Sequence, residues 1–294
     1  MASLCLHKLP CVDIPHALRK EQFVAASSID ISIIVPAYNE AKTIARTLAA
    51  MSRYLDGQGK TYEIIVSADG NDGTRESARE FAKGDERISV IGTAERGGKG
   101  RGVRNGVKIA RGQIIGFVDA DYKTPIEEIE KILPWLAQGF DIVIGSRGVG
   151  ESKIERRQKL YRRVGSKVFA LGMRVVTGLQ TIIDTQCGFK FFTRAAARDI
   201  FARQTIDGYM FDVEILRLAQ TLGYKVKEVG IRWQDDGDSR LELIAGNWRN
   251  AKDILRIGAT RFKAPVNASF DVADGPNHAT SDLSASSPSG RGLR

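Results

Sequence analysis

Long apolar runs are missing from this chain: no stretch of about 18 apolar residues occurs, so hydropathy excludes a membrane-spanning helix. The opening MASLCLHKLPCVDIPHALRK is broken by His7, Lys8, Pro10 and Asp13, too interrupted for the apolar heart of a signal peptide. Cysteine is scarce as well. Cys5, Cys11 and Cys187 form neither an even framework nor a pair of CxxC motifs, which argues against a disulfide scaffold or a structural zinc site and for a reducing, cytoplasmic setting. The three histidines, His7, His16 and His278, fall in the two end segments, which excludes a Ser/His or Cys/His relay and leaves Cys187 without an activating base. No GxxxxGK[ST] phosphate loop, RNP-type aromatic motif, zinc finger or basic zipper is present, so the formal charge of +9 does not point to nucleic acid.

What is present is an ordinary globular composition, 43% hydrophobic and 27% charged, in a chain long enough for one large domain. Short β-branched runs bounded by turn residues recur at Ile31–Val35, Glu63–Val66, Ile88–Ile91, Ile114–Val118 and Ile142–Ile144. Their near-continuous apolarity suits strands covered on both faces. Helical patterns lie between them, over Ala41–Tyr54, Gly73–Lys83, Lys99–Ala110 and Pro125–Ala137, the last with Thr124 as its cap. The alternation predicts an α/β fold, a mainly parallel, doubly wound sheet with helices on both faces and its ligand at the carboxyl ends of the strands. Beyond Arg147, Lys153–Val176 reads as a basic amphipathic helix with Leu160, Val164, Val168, Leu171 and Val175 on its apolar face. A strand over Gly188–Phe192, a helix over Phe211–Leu222, a strand over Lys225–Val229 and a closing helix over Leu241–Phe262 follow. The expected organisation is a lead-in over 1–29, a catalytic domain over 30–263 divided into a nucleotide-binding half (30–147) and an acceptor half (148–263), and a Ser- and Gly-rich disordered tail over 264–294.

The chemistry-bearing motifs fall where strands end. Strand one runs into Pro36-Ala37-Tyr38-Asn39-Glu40, strand two into Ala68-Asp69-Gly70-Asn71-Asp72-Gly73-Thr74, and strand four into Asp119-Ala120-Asp121. In order and spacing, IIVPAYNE, ADGNDGT, GGKGRGVRNG, VDADYKTP and IGSR resemble the family-2 glycosyltransferases of GT-A fold, over roughly Ile31 to Ile257. At the first acidic position of the second motif this chain carries Ala68, and it is one residue shorter there than the usual pattern. Two carboxylates flanking one residue at a strand end converge on a hard cation, so Asp119 and Asp121 are the expected site for Mg²⁺ or Mn²⁺ bridging a nucleotide sugar's diphosphate. Asp69 is of a type to accept from a pyrimidine imide N–H, which selects uracil. Pro36, Tyr38 and Glu40 are expected to line the nucleoside pocket. Around Lys99 and Gly100 the glycines let the backbone approach the donor, and Lys99 reaches the base or diphosphate.

The second half narrows the resemblance. Asp184-Thr185-Gln186-Cys187-Gly188-Phe189-Lys190, Phe211-Asp212-Val213-Glu214 and Trp233 followed by Asp236-Gly237-Asp238-Ser239-Arg240 resemble the dolichyl-phosphate β-glucosyltransferases. That likeness implies that Gln186, Cys187 and Gly188 border the donor sugar and that Arg240 closes over the diphosphate. It also implies that Arg147 and Arg162, with Ser166 one turn later, hold a polyprenyl phosphate, while Arg156, Arg157, Lys159, Arg163 and Lys167 extend contact to anionic headgroups on the cytoplasmic membrane face. With no nucleophile in sight, the expected reaction is inverting displacement at the sugar C1, catalysed by Asp121, Arg147, Arg162 and Arg240. A phosphate acceptor needs no base, because its second ionisation lies near pH 6. Were the acceptor a soluble hydroxyl instead, Asp184 or Asp212 would be the base candidates. A non-catalytic nucleotide-sugar or anionic-lipid module is the remaining alternative.

Overall fold

The computed structural model describes residues 29–150, 152–154, 171–234 and 248–260. Its first half alternates as the β-branched runs require. Strand β1 (Ile31–Tyr38) is followed by α1 (Ile44–Asp56), β2 (Tyr62–Asp69), α2 (Thr74–Phe81), β3 (Ile88–Ile91), α3 (Lys99–Ile109) and β4 (Ile114–Val118). A 3₁₀ helix (Ile126–Lys131), α4 (Leu133–Ala137), β5 (Ile142–Ser146) and the two-residue β6 (Lys153–Ile154) come next. The second half supplies a helical stretch over 171–177 (α5), then β7 (Phe189–Thr193), α6 (Arg194–Arg203), α7 (Phe211–Leu222), β8 (Val226–Gly230), β9 (Arg232–Trp233) and α8 (Trp248–Ala259).

Seven strands form one sheet in the order β3-β2-β1-β4-β7-β5-β8, and β6 pairs with β9 apart from it. All sheet neighbours are parallel except β7, which runs antiparallel between β4 and β5. Separate apolar cores cover the two faces. One packs α1, with Ile44, Leu48, Met51 and Leu55 turned inward at helical spacing, against Ile33, Val35, Ile64 and Val66. The other packs α3, α6 and α7 against Ile34, Ile65, Ile115 and Phe117. In α3, glycine is a packing requirement: a Cβ at Gly106 would lie 2.7 Å from the Ile34 side chain.

The sequence expectations depart from this architecture in three places. The helix expected over Pro125–Ala137 is two pieces. Pro125 stays extended as the cap residue, with no side-chain cap from Thr124, and a second proline, Pro134, restarts the chain inside α4 because it has no N–H to give the preceding turn. Lys153 and Ile154 are strand, not the start of a helix. In α5 the phase is turned: Met173 and Thr177 face the core, so Leu171 and Val175, about 200° round the helix from Met173, are exposed. The closing helix is described from Trp248. Leu160, Val164 and Val168, and the expected lead-in and tail, lie outside the described residues.

Candidate active site

Six strands of the sheet point their carboxyl ends the same way, and antiparallel β7 begins at that same edge: Phe189 sits opposite Val118. This register brings the segment Gln186–Gly188 beside the residues that follow β4. A cavity of about 450 Å³ opens there, lined by Pro36, Tyr38 and Glu40 from β1 and its turn, Ser67 and Asp69 from β2, and Arg96 and Lys99 at the start of α3. Asp119 and Asp121 after β4, Arg147 after β5, Gln186–Gly188 before β7, Tyr209 and Asp212 near the start of α7, and Trp233 complete it. The volume is in the range of small-ligand pockets.

Local backbone explains how these side chains arrive. Asn39 turns the chain out of β1 with φ 59°, a left-handed conformation that asparagine tolerates, and Tyr122 adopts φ 55° directly after Asp121. Tyr122 thus folds the aspartate turn back on itself, its N–H donating to the Asp119 carbonyl at 3.4 Å. The Asp119 N–H donates to the Gly188 carbonyl at 3.0 Å, and a Cβ on Gly188 would stand 2.0 Å from an Asp119 carboxylate oxygen. Only glycine allows that approach.

Ion pairing organises the cavity. Lys99 Nζ lies 2.7 Å from Asp119 Oδ1 and 3.8 Å from Asp212 Oδ2. Burial alone would depress the Lys99 ammonium, but the charges of Asp119 and Asp212 outweigh it and raise its pKa. Asp121 pairs with Lys123 at 3.2 Å. Burial, and then the negative charge of Asp119, raise the Asp121 carboxyl above the usual range. Two carboxylates that repel each other across one residue, at the mouth of a cavity, suit a hard divalent ion. No cluster of three or more His, Cys, Asp or Glu suited to a metal occurs among the described residues. Two protein carboxylates completed by a diphosphate and water are the usual holding pattern for Mg²⁺, so the donor set fits.

Several expected residues have partners that define their work. The carboxylate of Asp69 accepts from the Gly97 N–H (2.8 Å), the Thr93 N–H (3.2 Å) and Arg101 (3.2 Å), which ties the loop before α3 to the end of β2. Glu40 accepts from the Thr43 hydroxyl at 2.5 Å. Arg147 donates from Nε (2.7 Å) and Nη2 (2.9 Å) to the two oxygens of Asp184, and its guanidinium lies 5.6 Å from the centre of the Trp233 ring. Glu228 in turn accepts from the Ile183 and Asp184 N–H groups at 2.8 and 2.7 Å. Asp184 is therefore the counter-ion of Arg147 and does not line the cavity, which removes it as a base candidate. Gly100 does not line it either. It lies buried in α3, where a Cβ would meet the Ile206 carbonyl at 2.5 Å and the Phe211 Cβ at 2.6 Å. Cys187 is buried, and burial pushes its thiol up to about 12, which suits a lining residue and not a nucleophile. Arg156, Arg157, Lys159, Arg162, Arg163, Ser166, Lys167 and Arg240 lie outside the described residues.

Sequence reasoning missed Arg96, whose guanidinium stands 4.4 Å from the Tyr38 ring centre, and Lys190, which is fully buried. The signal for Lys190 was a lone charge inside the apolar run Phe189–Phe192.

The sequence model described as glycosyl transferase family 2 matches residues 32–201 of this chain, more than half its length. The chain belongs to that family. Among the transferase's relatives, a dolichyl-phosphate beta-glucosyltransferase of Trichomonas vaginalis is 36% identical over 264 residues, covering 85% of this chain and 77% of the relative. Proteins of the same designation from Drosophila melanogaster (34%, 83% of this chain and 79% of the relative) and Homo sapiens (32%, 77% and 74%) are similar in extent. In fold, the transferase resembles mannosyl-3-phosphoglycerate synthase from Rubrobacter xylanophilus at TM-score 0.56 and 16% identity, over 78% of this chain and 72% of that one. It also resembles glucosyl-3-phosphoglycerate synthase from Mycobacterium tuberculosis, solved with Mn²⁺, UDP and phosphoglyceric acid, at TM-score 0.52 and 20% identity over 70% of each chain. The fold is GT-A, and the enzyme is a glycosyltransferase, which sets aside the non-catalytic module. Among the described residues no helix is long and apolar enough to cross a membrane.

Proposed function

We propose that this enzyme moves a hexosyl group, glucose by the likeness of its relatives, from a UDP-sugar to a polyprenyl monophosphate with inversion at C1. The observation that carries the reading is that each carboxylate lining the cavity is already engaged. Glu40 is bonded to Thr43, Asp69 to Gly97 and Arg101, Asp119 to Lys99, Asp121 to Lys123, and Asp212 to Lys190. No histidine occurs between His16 and His278. A hydroxyl acceptor calls for a proton acceptor at its oxygen, whereas a phosphate monoester arrives largely ionised at neutral pH.

In this reading Pro36 and Tyr38 bind the nucleoside, and Asp69 holds the loop that closes over the base. A divalent ion between Asp119 and Asp121 would neutralise the diphosphate as it leaves. Lys99 stands beside that charge, Gln186, Cys187 and Gly188 face the sugar, and Arg147, pre-set by Asp184, meets the acceptor phosphate together with Arg162 and Ser166. Arg240 is assigned to the diphosphate by the family resemblance alone. An acceptor phosphate oxygen bonds to C1 as the bond from C1 to the UDP oxygen breaks, and the bonding pair leaves with UDP. The protein's contribution is positioning and charge neutralisation. Reversible contact with the cytoplasmic face of a membrane is supported by exposed Leu171, Val175 and Leu255 and by exposed Lys252 and Arg256 on α8.

Purified protein, Mn²⁺ or Mg²⁺, labelled UDP-glucose and a short polyprenyl phosphate should yield lipid-linked label, with Asp121→Ala inactive. Absence of lipid-linked label with every UDP- and GDP-sugar tried removes the lipid acceptor. Label appearing on a soluble glycan without lipid would instead favour the hydroxyl acceptor.

A further inference from the structure

Lys190 is a fully buried charge in the sheet. It lies in β7 with no exposed surface, between Phe189 and Phe191, where an apolar side chain would satisfy the strand pattern. Alternation turns Phe189 and Phe191 toward one core and Lys190, with Phe192, toward the face that carries α7. Removing an ammonium from water is unfavourable, so such a residue persists only where its hydrogen bonds and counter-charge offset the loss. Here Nζ donates to the Cys187 carbonyl at 2.5 Å and to Asp212 Oδ1 at 2.6 Å, and it lies 5.4 Å from the centre of the Phe117 ring.

Both polar partners belong to cavity-lining residues, from different elements: Cys187 from the segment before β7, Asp212 from the first turn of α7. Lys190 itself does not line the cavity. It sits behind the wall and joins two parts of it. Its hold on Asp212 Oδ1 also leaves Lys99 at 3.8 Å from Oδ2 and at 2.7 Å from Asp119, so Lys99 leans toward the aspartate pair. A chain of alternating charge therefore runs Asp119, Lys99, Asp212, Lys190 and ends on the carbonyl of the sugar-side segment.

We propose that Lys190 is a positioning residue for the transfer step: it fixes the Gln186–Gly188 segment against the start of α7. The assignment of that segment to the donor sugar rests on the function proposed above. Nothing in this role involves the nucleoside end of the cavity, which β1 and β2 build. Lys190 should accordingly govern turnover and not nucleotide affinity.

The test is Lys190→Met, which keeps the length and removes the charge. Calorimetry should show UDP affinity within about twofold of wild type while kcat falls about fiftyfold, since an ångström-scale misplacement costs on the order of a hundredfold. Wild-type turnover, or UDP affinity lost in step with turnover, overturns the proposal: the pair would then be inert or merely structural. Should Lys190→Met fail to fold, Lys190→Met/Asp212→Asn leaves no charge of the pair uncompensated and is compared with Asp212→Asn alone. Loss of the carbonyl contact predicts kcat about fivefold below the single variant; equal values overturn the role. If the wild type transfers nothing to polyprenyl phosphate, the acceptor reading fails by itself. The affinity of UDP-glucose relative to UDP then reads Lys190: a drop of about fivefold in Lys190→Met upholds it, and an unchanged ratio overturns it.

Discussion

Asp184 does not line the cavity, yet it sets how Arg147 stands in it. Its two oxygens take the guanidinium edge, while its own N–H and that of Ile183 are held by Glu228, so the arginine is braced by a carboxylate that is itself braced. Burial alone would raise the Asp184 carboxyl; the charge and hydrogen bonds of Arg147 outweigh that and hold it below the ordinary range. A carboxyl depressed in the folded state contributes stability that is fully present above its unfolded pKa, about 4, and is lost as pH falls through the folded value. Asp184→Asn should therefore cost about 2–3 kcal/mol at neutral pH, less than a wholly buried pair because Arg147 is partly exposed. Urea unfolding should show that deficit constant down to about pH 5 and narrowing below about pH 4. A deficit as wide in acid as at neutrality would mean the loss is one of packing, not of charge.

At the level of elements, α3 shows how a glycine-rich stretch can be read for the wrong reason. GGKGRGVRNG suggests a backbone that nears a donor, and Lys99 does stand in the cavity. Gly100, though, faces Ile206 and Phe211 across the helix packing. Gly100→Ala should overpack that contact and cost about 1–3 kcal/mol in chemical unfolding, while the folded fraction binds UDP within about twofold of wild type. A large loss of UDP affinity without loss of stability would return Gly100 to the nucleotide. Strands β1, β2, β4 and β5 were legible because both faces are buried, which writes continuous β-branched runs; Ile88–Ile91 and Ile114–Val118 have the expected bounds, as does helix Phe211–Leu222. Strand direction is not written in an apolar run. Nothing in Gly188–Phe192 says that β7 enters antiparallel between β4 and β5, and hence nothing ties Gly188 to Asp119. The aspartate pair and Tyr38 were legible from residue type and order, and the Gln186–Gly188 segment from the family resemblance; all of them line the cavity. Their counter-ions were not, since Lys99 with Asp212 and Arg147 with Asp184 meet only after the chain has crossed the sheet. The phase of α5 escaped for a similar reason: Leu171 and Val175 keep helical spacing, but Met173 and Thr177 are the pair that meets the core.

For the molecule as a whole, the place of β7 decides how ligand binding and folding are linked. The expected boundary near Arg147 divides the sequence into halves, yet β5 of the first half pairs only with β7 and β8 of the second. The strands β7 and β8 of the second half pair only with β4 and β5 of the first, and β5 has no partner in its own half, while the cavity draws Tyr38, Asp69, Asp119 and Asp121 from one half and Gln186, Gly188 and Asp212 from the other. A ligand that bridged both sets of residues, as the proposed nucleotide sugar does, would stabilise the joined sheet as one unit. With UDP and Mn²⁺ at about a hundred times the dissociation constant, the stabilisation is about 2.7 kcal/mol. In a domain of this size that shifts the melting temperature by roughly 5–10 °C. Calorimetry should show a single transition moving as one, and Asp121→Asn should abolish the Mn²⁺-dependent part of the shift. Two transitions, with UDP and Mn²⁺ moving only the first half's, would mean that the halves fold independently and that β7 is not the strand that unites them.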